Sequence, residues 1–251
     1  MKGVWYERNG PAREVLQCGD LADPVPGTGE VLVRVHASGV NPSDWKTRSG
    51  SRPMVAPRII PHSDGAGVIE RVGPAVDPSR VGERVWIWNG QWKRPFGTAA
   101  TYIDLPSGQA VRLPDGTTFE AGACLGIPAL TAHRAVTIDV SPQGQSILVS
   151  GGAGAVGHYA IQFARLLGAR PIIATVSSDE KAEHAKAAGA DEVINYKADA
   201  VPDRVREITR GRGVDRIVKS GYRGECYARP EDHCARWALR GLRFKRCSGL
   251  F

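Results

Sequence analysis

The hydrophobic pattern changes its period near residue 144, and this change divides the chain into two parts. In the first part, short apolar segments alternate with turn residues. The clearest is VLVRVHASGV at 31–40, in which valine occupies every second position from Val31 to Val35. A period of two predicts β-strands with one buried face. Three further segments of this kind follow, at 65–73, 83–88 and 99–105.

In the second part, strand-like and helix-like segments alternate. The apolar run QSILVS at 145–150 is too short for a helix, and a stripe of helical spacing follows it and ends at Gly168. Further strands are expected at 171–176, 192–196 and 213–218, separated by helices. Such alternation is typical of a parallel sheet with right-handed crossovers. The sequence therefore predicts an α/β protein with a β-rich N-terminal part and a doubly wound parallel sheet.

A glycine-rich segment, VSGGAGAVG at 149–157, lies between the first predicted strand of the sheet and its helix. Gly152, Gly154 and Gly157 have the GxGxxG spacing of a dinucleotide-binding turn. The first glycine would permit the tight bend, the second would let a pyrophosphate approach, and the third would let helix pack on strand. A plain glycine turn is the alternative, but the alternating elements that follow favour a dinucleotide site.

The end of the second predicted strand indicates which dinucleotide binds. An NAD site places a carboxylate there for the ribose hydroxyl, whereas this chain has Thr175 to Ser178, with Lys181 within a turn. Hydroxyls and an ammonium suit a 2′-phosphate, so we expect NADPH. In the alternative, Ser177 only caps the next helix, with Glu180 at capping-box spacing, and Lys181 is solvated. Asp179 argues against the phosphate.

Charge and composition exclude several classes of protein. The net charge is +7, but +5 of it lies from Lys219 onward, and the nearly neutral body lacks the broad positive surface that RNA binding needs, which argues against RNA as a partner. No signal-peptide core and no apolar run of about 18 residues is present, which predicts a soluble, cytoplasmic protein without a membrane span. Five cysteines without CxxC spacing disfavour both a zinc knuckle and a disulfide framework.

Several motifs occur together in an order and spacing that resemble the quinone oxidoreductase (zeta-crystallin) family of medium-chain dehydrogenases and reductases. These motifs are GVNPSDWKTRSG, IPHSDGAGVIERVG, GERVW, LGIPALTAHRAV, the glycine turn and AGADEVINY. The resemblance implies a GroES-like catalytic domain at 1–125 and a partial Rossmann domain that binds NADPH at 126–218. The remaining residues, 219–251, form an atypical basic tail. The family implies a homodimer for the full-length protein.

Zinc-dependent relatives carry a cysteine where this chain has Asn41, and a His-Glu pair where it has Ser63 and Asp64. His62 stands one place early, so the resemblance implies a protein without zinc. Without a metal to polarise a carbonyl, we expect hydride transfer from NADPH to a quinone or an enone. The alternative is a catalytically impaired nucleotide-binding remnant with some RNA contact.

The resemblance also implies the site residues. Asn41, Asp44 and Thr131 would line the nicotinamide end, although Asn41 also suits a turn, Asp44 a helix cap and Thr131 the packing of a helix. The residues expected to bind the cofactor are Gly151, Gly152, Gly154, Ala155, Val156, Gly157, Ser177, Lys181 and Tyr196.

The resemblance ends near Val218. After GVDRIV the family continues with an acidic residue, a glycine-rich turn and further strands, which the residues from Lys219 do not match. We interpret this difference as a truncated or frameshifted gene.

Overall fold

The computed structural model describes residues 1–138 and 140–219. The prediction of an atypical basic tail at 219–251 therefore lies, except for Lys219, outside the described residues. The chain separates into two compact units, with the division between Leu130 and Thr131. The domain limits 1–125 and 126–218 stay a prediction.

The strands and helices of the described residues are numbered in chain order. The strands are β1 (Lys2–Trp5), β2 (Gln17–Asp20), β3 (Glu30–Gly39), β4 (Asp64–Val72), β5 (Arg84–Ile87), β6 (Tyr102–Pro106), β7 (Ala110–Arg112), β8 (Ile147–Ser150), β9 (Ile172–Val176), β10 (Glu192–Asn195) and β11 (Arg216–Lys219). The helices are α1 (Ala12–Val15), α2 (Pro42–Lys46), α3 (Phe119–Ala123), α4 (Gly126–Thr137), α5 (Ala155–Leu166), α6 (Asp179–Ala187) and α7 (Val201–Ile208).

The first unit is built on a five-stranded antiparallel sheet in the order β6-β3-β4-β5-β7, with β1 and β2 paired separately. The expected β-rich part is confirmed. Val31 and Val33 are buried as the alternation predicts, but Leu32 between them is buried too. The pairing of β3 with β4 shifts register between Leu32 and Val33, so strict alternation is interrupted at this point.

The second unit contains a parallel sheet in the order β10-β9-β8-β11, which is 3-2-1-4 in order of appearance. The predicted doubly wound sheet is confirmed. Ile172, Ala174 and Val176 of β9 pack into one apolar cluster with α5 and α6, while Ile173 packs into another with Val205 of α7. Both faces of the sheet are therefore covered, as parallel sheets require.

Among the helices of residues 1–138 and 140–219, none has both the length and the apolar character that a membrane span needs.

Candidate catalytic and cofactor-binding residues

The glycine turn between β8 and α5 is fixed to the end of the neighbouring strand. The N–H of Gly151 donates to Thr175 Oγ1 at 3.1 Å, and the N–H of Gly152 donates to the Thr175 carbonyl at 2.9 Å. Gly151 has a φ of +70°, a conformation that side chains disfavour. The tight bend that we expected of Gly152 is thus made by Gly151, one residue earlier.

The other glycines of the turn allow close packing. A Cβ on Gly152 would lie 2.7 Å from the Cβ of Ala174, and one on Gly157 would lie 2.2 Å from the Gly151 carbonyl oxygen. Gly157 therefore has the predicted role of letting α5 approach the turn. A Cβ on Gly154 would meet only that carbonyl oxygen, at 3.3 Å. The space above Gly154 is open to a ligand.

The first turn of α5 provides the groups that a pyrophosphate needs. Gly154 is the N-cap, and its carbonyl accepts from the His158 N–H at 2.8 Å. The N–H groups of Ala155, Val156 and Gly157 have no carbonyl one turn earlier in the helix to bond. They lie at the positive end of the helix dipole, which favours a phosphate. The residues present fit a dinucleotide.

The prediction that Ser177 caps the next helix is wrong. Ser178 is the N-cap of α6, and its hydroxyl accepts from the Lys181 N–H. The helix therefore begins one residue later than expected. The third residue after the cap is Lys181 and not Glu180, so no capping box forms there. The Ser177 hydroxyl instead accepts from Lys181 Nζ at 3.0 Å. A hydroxyl and an ammonium group therefore meet at the end of β9.

Tyr196 lies at the same end of the sheet. Its N–H donates to the Val176 carbonyl at 3.1 Å, so its backbone is beside the residue that precedes Ser177. Its side chain is half-buried. A surface pocket of about 510 Å³ lies against α6, bounded by Lys181 together with Glu180 and His184, and Tyr196 does not line it. The charge around the pocket is thus mixed rather than uniformly positive.

In the first unit, Asn41 and Asp44 lie at the start of α2 and are nearly buried, with 7% and 5% of their surfaces exposed. The Asn41 N–H donates to Asp44 Oδ2 at 2.7 Å. Asp44 therefore has the local capping role that we considered as its alternative. Burial raises the pKa of Asp44 to about 6, although the Asn41 N–H counteracts the shift.

Asp64, at the first position of β4, is the residue that sequence analysis missed. It is fully buried, and its Oδ2 accepts from Asn41 Nδ2 and from the Ile127 N–H, each at 2.7 Å. Its Oδ1 has no partner among the described residues. Burial raises the pKa of Asp64 to about 6. We had considered Asp64 only as a replaced zinc ligand, yet an acid that opens an apolar strand was a signal of a special role.

His62 belongs to a chain of hydrogen bonds that ends on the backbone of Asp64. Thr98 donates to the Asp64 carbonyl at 2.6 Å, Ser38 Oγ lies 2.8 Å from Thr98 Oγ1, and His62 Nδ1 lies 2.9 Å from Ser38 Oγ. Since each hydroxyl has one proton, Ser38 donates to Thr98, and His62 Nδ1 donates to Ser38.

The backbone of His62 has a φ of +78°, and burial lowers the pKa of its side chain. Within residues 1–138 and 140–219, no group of three or more histidine, cysteine or acidic side chains is arranged to hold a metal ion.

Thr131 lies in α4 and is exposed, so it does not pack inside the fold. It belongs to the second unit, whereas Asn41 and Asp44 belong to the first. Its assignment to the nicotinamide end stays a prediction.

Two protein families match separate parts of the chain. The alcohol dehydrogenase GroES-like domain matches residues 27–115, and the zinc-binding dehydrogenase domain matches residues 155–228. The second match extends ten residues beyond Val218, where the motif resemblance was expected to end. Together these matches agree with the β-rich first unit and the parallel sheet of the second.

Curated relatives are similar over most of the chain. Human quinone oxidoreductase is 36% identical over 218 residues, which are 85% of this chain and 64% of the human protein. The chain therefore spans less than two thirds of the length of that curated relative.

Two solved structures are also similar. The mycobacterial protein Rv1454c complexed with NADPH is 35% identical with a TM-score of 0.72, covering 86% of this chain and 66% of its own. An NAD-dependent alcohol dehydrogenase is 33% identical with a TM-score of 0.80, covering 86% and 70%.

Proposed function

Because the chain belongs to the medium-chain dehydrogenase/reductase family, we propose that it is an NADPH-dependent oxidoreductase that reduces quinones or related enones by hydride transfer without zinc. The relatives named quinone oxidoreductase support this acceptor class. The cytoplasmic location and the homodimer stay predictions.

The observation that carries the choice of cofactor is the contact between Lys181 and Ser177. These side chains meet at the end of β9, where an NAD site would place a carboxylate. An ammonium group and a hydroxyl both donate to a phosphate, and each such charge-assisted bond is stronger than a neutral one. The glycine turn supports the pyrophosphate, and the solved NADPH complex of a relative supports the same assignment.

NADPH, when bound, supplies the hydride, and the protein supplies orientation and electrostatics. Asn41 is suited to orientation because both its backbone and its side chain are held by buried carboxylates. Its amide and the hydroxyl of Thr131 are the groups that we assign to the nicotinamide and the acceptor. No general acid or base is assigned.

A zinc-free reaction is proposed because of the chemistry of the residues at the former ligand positions. The amide nitrogen of Asn41 donates to Asp64, and Asn41 and Ser63 are poor replacements for the thiolate and imidazole of zinc-dependent relatives. The acceptor must then be electrophilic without metal assistance, as quinones and enones are.

Two measurements on the purified chain test this function against the alternative of a nucleotide-binding remnant. The first is the change in NADPH fluorescence on binding, compared with that of NADH. The second is the loss of NADPH absorbance after a simple ortho-quinone is added. We expect tighter binding of NADPH and its consumption by the quinone. Binding without consumption would favour the remnant, and equal affinity for both dinucleotides would contradict the choice of cofactor.

A further inference from the structure

Two histidines of the second unit stack on each other between neighbouring helices. His158 lies in the first turn of α5 and His184 lies in α6, with their ring centroids 4.3 Å apart and the rings within 21° of parallel. His184 also lines the surface pocket of about 510 Å³ that is bounded by Lys181 and by Ala153 of the glycine turn. The histidine pair thus shares this pocket with the lysine that contacts Ser177.

The surroundings of the two rings determine which of them carries a charge. Nδ1 of His158 is buried without a hydrogen-bond partner among the described residues, and burial lowers the pKa of His158, with His184 as a further cause. A protonated imidazole donates from both ring nitrogens, so a charged His158 would bury an unpaired N–H. His184 is exposed. Because two imidazolium rings 4.3 Å apart would repel each other, a single charge on the pair resides on His184.

The other charges around His184 on its own helix cancel. Glu180 and Lys181 line the pocket with it, and Glu183, which also lines it, is paired with Lys186 at 3.0 Å. Two acids and two lysines sum to zero when His184 is neutral. Protonation of His184 therefore gives this face of α6 a net positive charge, which a phosphate favours.

The elements packed against α6 add no further charge at the pocket. β9 has no charged residue. β10 turns Val193 toward α5 and α6, so Glu192, one residue earlier, lies on the opposite face of the sheet. Arg165 of α5 is bound to Asp191, beyond the end of α6. The charge of the pocket thus depends on His184.

We propose that His184 is a second cation of the site for the 2′-phosphate and that it takes up a proton when NADPH binds, while His158 stays neutral behind it. Lys181 and His184 are three residues apart and so lie on the same face of α6. A phosphate that binds Lys181 and Ser177 then lies against the pocket that His184 lines. The proposal rests on the proposed function, because it needs a dinucleotide that carries this phosphate.

The test is the ratio of the dissociation constants of NADH and NADPH, measured by fluorescence titration of the full chain from about pH 6.5 to about pH 8.5. The ratio removes the effects of pH that both dinucleotides share. Over this range imidazole loses its charge, whereas a phosphate monoester keeps most of its own. We expect the preference for NADPH to be roughly fivefold larger at the lower pH.

Two glutamine variants show whether His184 causes this dependence. His184→Gln keeps a polar side chain but does not titrate, so its preference should not change with pH. His133→Gln is the matched control, because His133 is an exposed histidine of the same unit that does not line the pocket. It should keep the wild-type dependence. A preference that is constant in the wild type, or that changes equally in His184→Gln, would overturn the inference and leave the choice of NADPH standing. Equal affinity for both dinucleotides at every pH would contradict both.

A second measurement identifies the residue that takes up the proton. The ring C–H signals of the two histidines, assigned from His184→Gln and His158→Gln, are followed by NMR as the pH is varied. The His184 signal should titrate at a higher pH with NADPH bound than with NADH bound, because the phosphate stabilises the imidazolium. Identical titration curves in the two complexes would overturn the inference, as would a change confined to His158.

Discussion

Replacing Asp64 by asparagine should change how the stability of the protein depends on pH. The pKa of Asp64 is raised from 3.8 to about 6 by burial. The folded protein thus holds the Asp64 proton more tightly than the unfolded chain does. Well below pH 4 both states are protonated and the carboxyl costs nothing. As pH rises from about 4 to about 6, the unfolded chain releases this proton while the folded protein still holds it, so stability falls. Above about pH 6 both states are ionised, and the loss is complete.

The size of the effect follows from the shift. About two pKa units, at roughly 1.36 kcal/mol per unit, give about 3 kcal/mol of stability that the wild type loses between pH 4 and pH 8 because of Asp64. The Asp64→Asn variant does not lose it. Its stability relative to wild type should therefore increase by about 3 kcal/mol over this range, or about 6–12 °C in melting temperature for a chain of this size.

Thermal melts or urea titrations of both proteins at one-unit steps from pH 4 to pH 8 measure this difference. The fixed cost of burying the asparagine NH₂ group cancels, because only the change with pH is used. Asp44, whose pKa is also raised to about 6, is present in both proteins, and its charge is one of the causes that raise the pKa of Asp64. Asp77→Asn is the control: Asp77 is exposed, and the Ser79 N–H lowers its pKa, so its difference should have the opposite sign. A difference that is constant with pH for Asp64→Asn would refute the reasoning.

Three further outcomes are expected. Lys181→Ala should weaken NADPH binding by about 1–2 kcal/mol and leave NADH binding unchanged, whereas an equal loss for both dinucleotides in a binding titration would exclude a 2′-phosphate contact. Gly157→Ala should lower the melting temperature and abolish dinucleotide binding, because its Cβ would lie 2.2 Å from the carbonyl of Gly151; Gly108→Ala, with nothing within 4 Å, is the neutral comparison. Elemental analysis should find no stoichiometric zinc in the purified protein, and one chelator-resistant zinc per chain would contradict a zinc-free reaction.

The fold could be predicted from sequence because its signals are local and periodic. The strand alternation of 31–40 and the apolar run of 145–150 each became a strand within a few residues of the expected limits. The parallel sheet of the second unit was predicted because its strands alternate with helices along the chain. The cap of α6 was displaced by one residue because Ser177 and Ser178 are equivalent in sequence, and only the geometry distinguishes them.

The candidate site was less predictable because its main contacts join distant segments. Asn41 and Asp64 are 23 residues apart, and Ile127 lies 63 residues beyond Asp64. No periodicity links such positions. The comparison with zinc-dependent relatives identifies Asp64 only as a lost zinc ligand and does not indicate the hydrogen bonds that its carboxylate accepts. The bend at Gly151 was also missed, because the GxGxxG spacing draws attention to the later glycines and a positive φ is a property of the folded backbone.

The transfer of deuterium to an enone from NADPH that carries deuterium at both C4 positions tests the central claim most directly. Hydride transfer forms a carbon–hydrogen bond in the product, with a proton from solvent completing the saturated ketone. We predict one carbon-bound deuterium per NADPH consumed, with a slower rate for the labelled cofactor and little consumption of NADH. An unlabelled product, or an enone left unreduced while NADPH stays bound, would contradict the account.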